Sequence, residues 1–131
     1  MKKAMVFGTF DILHPGHRFL FKEAKKHGTC LVAVVALDST VERLKHKKPV
    51  HAQQYRLLQV AADTLVDKAR LGYPDDFYKV IEEEQPDVIC LGYDQVLVPL
   101  DERTMRQRGI AARIVRILPY KPSLYKSSKL A

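Results

Sequence analysis

Residues 6–17 read Val-Phe-Gly-Thr-Phe-Asp-Ile-Leu-His-Pro-Gly-His, and the rest of the chain is interpreted from this stretch. The apolar run at 4–7 that leads into it is typical of a strand, and apolar residues recur at helical spacing between positions 20 and 24. Pro15 suits the first turn of a helix, because its missing N–H is not needed there. The stretch therefore predicts a strand, a tight turn at Gly8 and the beginning of a helix.

The first turn of this helix is a candidate phosphate site, because the free N–H groups and the positive dipole end of a helix attract anions. Gly16 leaves room for a ligand to approach the backbone. His14 and His17 are three residues apart, so both imidazoles can face the same bound group. An imidazole can donate a hydrogen bond to a phosphate oxygen. Thr9 adds a hydroxyl from the turn.

Two other interpretations of the histidine pair stay open at this point. The pair could supply half of a zinc site, which needs three or four ligands. The two residues could also be surface histidines placed there by chance. The further zinc ligands would be distant carboxylates or the remaining histidines, His27, His46 and His51.

Length and composition predict one domain, residues 1–131, since the chain is 47% hydrophobic and is long enough for a single three-layer core. The longest apolar run, 31–37, is far shorter than a membrane span. The basic N-terminus leads directly into the first strand without a signal-peptide pattern. We therefore expect a cytoplasmic protein without a membrane partner. Cys30 and Cys90 adjoin or lie in apolar runs, which predicts buried, reduced thiols.

The charge balance limits the class of partner. The chain has 22 basic and 15 acidic residues, a net charge of +7, which suits nucleic acid, an anionic membrane or a small polyanionic substrate. The basic residues are dispersed apart from clusters at 25–27 and 45–48, and no aromatic residues are interleaved with them. We therefore expect no nucleic-acid partner.

The rest of the chain alternates predicted strands and helices. The predicted strands cover 30–36, 66–71, 88–91 and 110–117, with 66–71 nearer the edge of the sheet. The predicted helices cover 40–45, 53–65, 76–84 and 100–108, followed by a tail that is mostly turn with a short helix. Ser39 and Glu42 fit a capping box at the beginning of the first of these helices. Leu57, Leu58, Ala61 and Leu65 form one side of the second.

This order predicts an α/β fold, a single Rossmann-like doubly wound five-stranded parallel sheet with flanking helices. In such sheets ligands bind beyond the carboxyl ends of the strands, where the strand order reverses. The loops expected at that edge are 8–17, 36–39, 92–95 and the tail after Ile117.

Gly-Thr-Phe-Asp at 8–11 followed by His-Pro-Gly-His at 14–17 closely resembles the signature of the nucleotidyltransferase superfamily. That superfamily includes cytidylyltransferases, pantetheine-phosphate adenylyltransferase and the archaeal-type FAD synthases. Further stretches that resemble archaeal-type FAD synthases are Asp-Ser-Thr-Val at 38–41, Arg-Leu-Lys at 43–45, Gln-Tyr-Arg-Leu at 54–57, Val-Asp-Lys-Ala at 66–69 and Leu-Gly-Tyr-Asp-Gln at 91–95. Near the C-terminus, Ser127-Ser128-Lys129 resembles the helix start that binds triphosphate in this superfamily.

The resemblance favours FAD synthase over its relatives at one position. Glycerol-3-phosphate cytidylyltransferases usually show two consecutive acidic residues after the glycine that matches Gly92, where this chain has Tyr93 and Asp94. A glycerol-3-phosphate or related sugar- or alcohol-phosphate nucleotidyltransferase is the alternative. A non-catalytic nucleotide or nucleic-acid binding module is a weaker one.

The resemblance implies that AMP passes from ATP to FMN, with Mg²⁺ or another divalent cation bridging the phosphates and no dedicated protein cage for it. It also implies a homodimer. His14, His17 and Lys45 are the candidate catalytic residues. The candidate substrate-binding residues are Thr9, Phe10, His14, Pro15, Gly16, His17, Asp94, Tyr120, Ser127 and Ser128.

Several of these interpretations keep an alternative at this point. Lys45 could be a solvated surface lysine, and Arg56 could contact phosphate or form a structural salt bridge. Asp94 could lie beside the ribose or base, bind metal or cap a helix. Ser127 and Ser128 could bind triphosphate or belong to a polar, frayed tail.

Overall fold

Five parallel strands and five helices make up the part of the chain that the computed structural model describes, residues 2–93, 95 and 100–118. The strands are β1 (Lys3–Gly8), β2 (Cys30–Val35), β3 (Lys68–Leu71), β4 (Val88–Leu91) and β5 (Arg113–Arg116). The helices are α1 (Pro15–Lys25), α2 (Asp38–Lys45), α3 (Gln53–Ala61), α4 (Lys79–Glu84) and α5 (Glu102–Gln107). The predicted alternation of strands and helices is therefore confirmed.

The strand order β3-β2-β1-β4-β5 reverses between β1 and β4. β1 pairs with β2 along its whole length, from Lys3 to Gly8. It pairs with β4 only at Ala4 and Met5. Because both strands continue beyond that pairing, the sheet opens between them toward its carboxyl edge, which is where a doubly wound fold binds its ligands.

Successive residues of the central strands point into two different cores, one on each face of the sheet. One core packs beneath α1 and α3 and includes Ala4, Val6, Phe21, Ala24 and Val60. The other packs beneath α4 and α5 and includes Met5, Phe7, Ile81 and Met105. Burial on both faces explains why these strands are continuous apolar runs in the sequence.

The predicted capping box of α2 is wrong. The helix begins at Asp38, one residue before Ser39, and its N-cap Leu37 makes no side-chain hydrogen bond. Ser39 is exposed. The Asp38 carboxylate forms an ion pair with Arg56, so a long-range contact rather than a local cap determines where this helix begins.

The predicted α3 is too long and its buried face is partly misassigned. The helix ends at Ala61 because Asp63 organises the turn that follows, accepting the N–H of Leu65 on its side chain and that of Val66 on its carbonyl. Leu58 and Ala61 are exposed, whereas Val60 and Arg56 are buried. α4, α5 and β5 also begin later than predicted, at Lys79, Glu102 and Arg113.

The two cysteines are free thiols. Cys90 is buried, as predicted, and burial raises the pKa of its thiol to about 11. Cys30 is only half-buried. Among residues 2–93, 95 and 100–118, no helix is long and apolar enough to cross a bilayer.

Candidate active site

Two histidines cap the N-terminus of α1, which begins at Pro15 as predicted. His14 is the N-cap, and its Nδ1 accepts the backbone N–H of Gly16 at 3.0 Å. The backbone N–H of His14 in turn donates to Nδ1 of His17 at 3.3 Å. This is the reciprocal arrangement of a capping box, made here by two imidazoles.

The capping contacts assign the tautomer of both rings. A ring nitrogen that accepts an N–H carries no proton of its own, so the proton of each neutral imidazole lies on Nε2. The two rings stack with their centroids 3.8 Å apart. The neutral His14 ring therefore has an Nε2–H donor for a bound anion without any change of the helix cap, whereas the His17 ring also faces the Ile12 carbonyl.

His17 is held in its neutral form. The pKa of His17 is lowered to about 4, chiefly by burial and also by charge repulsion from His14 and Lys45, while the Ile12 carbonyl acts in the opposite direction. At neutral pH the His17 ring is therefore a hydrogen-bond donor and acceptor without a net charge.

Gly16 is required for the position of His14. A Cβ at Gly16 would lie 2.8 Å from Cε1 of the His14 ring, closer than side chains approach. The sequence suggests that this glycine lets a ligand approach the backbone, but its N–H already donates to His14. Gly16 therefore acts on the site through the imidazole.

Phe10 forms a wall behind His17. Its backbone is in the left-handed region, with φ 51°, and its side chain is only 3% exposed. The Phe10 ring meets the His17 ring edge-on, with 5.3 Å between centroids. A Cβ at Gly8 would lie 2.7 Å from the same phenyl ring, which explains why the motif has a glycine at position 8.

Lys45 reaches the same site from the last turn of α2. Its Nζ donates to Oγ1 of Thr9 at 3.1 Å, across 36 residues of sequence. Lys45 is exposed, but it lines the cleft together with both histidines. The fold thus brings together Lys45, the Thr9 turn and the histidine pair, which come from different parts of the sequence.

Arg56 is a buried structural residue. Its side chain is completely inaccessible, and its Nη1 donates to the carbonyls of Thr9 at 2.8 Å and Ala36 at 2.7 Å. Nε donates to the His51 carbonyl, and Nη2 to Asp38. Of the two alternatives left open by the sequence, the structure shows the salt bridge. Arg56 holds the Thr9 turn against the end of β2.

The cleft has a volume of about 500 Å³ and lies where β1 and β4 part. The histidines and Lys45 line one end. Apolar and loop residues line the rest, including Tyr93, Gln95, Ile117 and Leu118. A shallower groove of about 570 Å³ runs along the outside of α1 beside Arg18 and Lys22. The volume of the cleft suits a nucleotide. Its histidines and Lys45 can bind the phosphates, and its apolar lining can bind the base.

Gln95 lines this cleft, although it was not among the candidate site residues. Its signals in the sequence are its place in the loop after β4 and the resemblance of 91–95 to archaeal-type FAD synthases. Pro15 is exposed at the first position of α1. The candidate residues Asp94, Tyr120, Ser127 and Ser128 lie outside the described residues.

Within residues 2–93, 95 and 100–118, no three histidine, cysteine or acidic side chains are grouped to hold a metal ion.

Comparison with known proteins identifies the family. Residues 5–130 match the cytidylyltransferase-like family model. The chain is 49% identical over 121 residues to the FAD synthase of Aciduliprofundum boonei, covering 92% of this chain and 80% of the relative. It is 41% identical over 133 residues to the FAD synthase of Methanohalophilus mahii, covering 99% of this chain and 92% of that relative.

Solved structures share the fold of this chain. A lipopolysaccharide core biosynthesis protein from Thermoplasma volcanium superposes with a TM-score of 0.84 at 43% identity, covering 92% of this chain and 98% of that one. A pantoate-beta-alanine ligase from Francisella tularensis shares the fold alone, with a TM-score of 0.63 at 17% identity over 93% of this chain and 61% of that one. The chain therefore belongs to the cytidylyltransferase-like family.

Proposed function

We propose that this protein is an FAD synthase, an FMN adenylyltransferase that uses ATP and FMN and releases pyrophosphate. The observation that carries this proposal is the identity of 38–49% to archaeal FAD synthases over 89–99% of the chain. The paired imidazole donors at the cleft supply the chemistry that such a transfer needs.

In the reaction, a phosphate oxygen of FMN attacks the α-phosphorus of ATP. The new P–O bond forms as the bond from the α-phosphorus to the bridging oxygen breaks, and pyrophosphate leaves. Negative charge grows on the equatorial oxygens and on the leaving group, so positioned donors and cations are the main requirement. The protein needs no covalent nucleophile.

We assign the transition-state donors to His14 and His17. The capping contact of His14 leaves its Nε2–H for a phosphate oxygen, the His17 ring stacks on it beside the Ile12 carbonyl, and both rings line the cleft. Gly16 positions the His14 ring, and Pro15 begins the helix beside it. Phe10 supports His17 from behind.

We assign the triphosphate to Lys45 and Thr9. Lys45 lines the cleft and its ammonium donates to the Thr9 hydroxyl, so a phosphate oxygen bound to Lys45 would lie near Thr9 as well. A divalent cation, Mg²⁺ above all, would be held by the phosphates themselves, where it neutralises charge on the triphosphate.

We propose from the resemblance that Asp94 lies by the ribose or base, that Tyr120 contacts substrate, and that Ser127 and Ser128 bind triphosphate. Removing the chain from Ser127 onward tests the last assignment. We expect weaker ATP binding in calorimetry with an unchanged unfolding midpoint. Equal ATP affinity of the shortened and full-length proteins would exclude the serines from binding. A homodimer without nucleic acid is a further prediction from the resemblance.

A panel of ATP or CTP against FMN or glycerol 3-phosphate tests the reaction. Pyrophosphate release gives the rate, and chromatography identifies the product. We expect FAD from ATP and FMN, formed at least about 10²-fold faster than any CDP-glycerol, because a site built for one base edge leaves buried groups unpaired with another. CDP-glycerol without FAD would move the chain to the glycerol-3-phosphate cytidylyltransferases.

A further inference from the structure

The side chain of Gln95 spans the opening between β1 and β4. Pairing of these strands stops at Met5 and Ile89, before either strand ends. Beyond that point, Nε2 of Gln95 donates to the Phe7 carbonyl of β1 at 2.8 Å. Its Oε1 accepts the backbone N–H of Gly92, just after β4, at 3.1 Å. The amide thus replaces a rung of the sheet and has only one satisfactory orientation.

Arg116 holds the same loop from the other side. Its Nη1 donates to the carbonyls of Gly92 and Gln95, both at 2.8 Å, and lies 3.3 Å from that of Tyr93. The backbone N–H of Gln95 also donates to the Gly92 carbonyl. The loop after β4 is therefore tied to β1 by an amide and to β5 by a guanidinium.

Because β2 and β4 lie on opposite sides of β1, these loop residues line the side of the cleft away from Lys45. Gly92, Tyr93 and Gln95 lie there with the apolar side chains of Ile117 and Leu118. Tyr93 is 55% exposed, which leaves surface of its side chain for a planar ligand. Lys45 lies on the opposite, β2 side of the cleft, at the end of the helix that follows β2.

We propose that Gln95 is a positioning residue for ATP: it holds Gly92 and Tyr93 where the adenosine part binds. The inference rests on the proposed function, in which the α-phosphate lies at the histidines and the triphosphate extends to Lys45. The adenosine then extends to the other end, where Gln95 fixes the loop. Small displacements of such a loop weaken binding strongly, because contacts to the ligand depend on alignment.

Gln95→Glu is the most direct test, since it keeps the size and the acceptor for Gly92 but replaces the donor to Phe7 with a second oxygen. At about pH 8 the carboxylate faces a carbonyl oxygen, and we expect about tenfold weaker binding of an ATP analogue with a methylene α–β bridge, measured by calorimetry. FMN binding, measured by flavin fluorescence, should stay within about twofold.

A change of pH separates the lost donor from general damage. At about pH 5 the carboxyl group introduced by Gln95→Glu, lying beside a carbonyl, binds a proton and can donate again. The ratio of variant to wild-type dissociation constants for the analogue should therefore fall toward one. Gln95→Met lacks both hydrogen bonds, so its defect should persist at both pH values.

Gln85→Glu is the matched control, because it makes the same substitution at an exposed position before the other end of β4. We expect no change in the affinity for either ligand. Wild-type analogue affinity of the Gln95→Glu protein at pH 8 would overturn the proposal, as would an equal loss of FMN affinity. If Gln95→Glu does not fold, Gln95→Met provides the same comparison. FAD production by the wild type is measured separately. An absence of FAD would contradict the proposed reaction, whereas unchanged binding of the ATP analogue to the Gln95→Glu protein would contradict the role of Gln95.

Discussion

The backbone N–H of His14 lies 3.3 Å from Nδ1 of His17, and the two imidazole rings stack at a centroid distance of 3.8 Å. The groups that cap α1 are therefore the groups proposed to act on phosphate. Capping uses Nδ1 of each ring, and Nε2 of His14 is left for the substrate. The capping contacts of α1 therefore also fix the positions of the His14 and His17 rings.

His14→Asn separates these two roles. Asparagine is a good N-cap, so we expect an unchanged unfolding midpoint. The phosphate donor is lost, and turnover at saturating ATP and FMN should fall about 10²-fold or more. His46→Asn is the control, because His46 is exposed and asparagine tolerates its left-handed conformation. Near wild-type turnover of His14→Asn would exclude the assigned role.

Gly16→Ala should reduce activity without an equal loss of stability. Alanine favours the helix by up to about 1 kcal/mol, but its Cβ would displace the His14 ring. We expect at least about tenfold lower turnover, because a misplaced donor loses most of its effect. Stopped-flow assays and thermal unfolding measure the two quantities. A fully active Gly16→Ala protein would show that the cap position of His14 is unimportant.

His17 should titrate with a pKa near 4, below its ordinary value of 6.5. Since the folded protein binds this proton less readily than the unfolded chain, His17 contributes stability that is present above about pH 6.5 and lost as the pH falls through about 4. Imidazole resonances in NMR give the midpoint directly. His17→Asn should flatten the stability profile in this range. A midpoint at 6.5 would contradict the burial argument.

Arg56→Met should destabilise the protein by about 3–5 kcal/mol, because it leaves Asp38 and several buried carbonyls without their partner. Chemical denaturation measures the loss. Arg106→Met is the control, since Arg106 is exposed and its carboxylate partner is 4.0 Å away. If Arg56→Met unfolded at the wild-type denaturant concentration, the hydrogen bonds of Arg56 would not hold the Thr9 turn.

Glu84 should contribute to acid resistance. Burial alone raises the pKa of Glu84, but hydrogen bonds from Lys68, Arg70 and Lys3 lower it to about 2 from an ordinary 4.5. Its contribution to stability is present above pH 4.5 and is lost as the pH falls toward 2. Glu84→Gln should therefore be less stable at neutral pH and less sensitive to acid in this range. An unchanged acid profile would count against these ion pairs.

Sequence patterns predicted the order of strands and helices and the edge of the sheet where the cleft lies. The stretch at 6–17 predicted a strand, a turn and a helix with Pro15 in its first turn, all of which depend on neighbours in the chain. The alternation of apolar runs with helical patterns predicted the parallel sheet and hence the edge at which ligands bind.

Which distant residues meet at the cleft depends on the tertiary structure. Lys45 contacts Thr9 across 36 residues, and Gln95 contacts Phe7 across 88. From the sequence Arg56 could contact phosphate or form a structural salt bridge, and the fold buries it against three carbonyls and Asp38. Such contacts depend on the strand order and on where neighbouring strands part, and neither is encoded in local spacing.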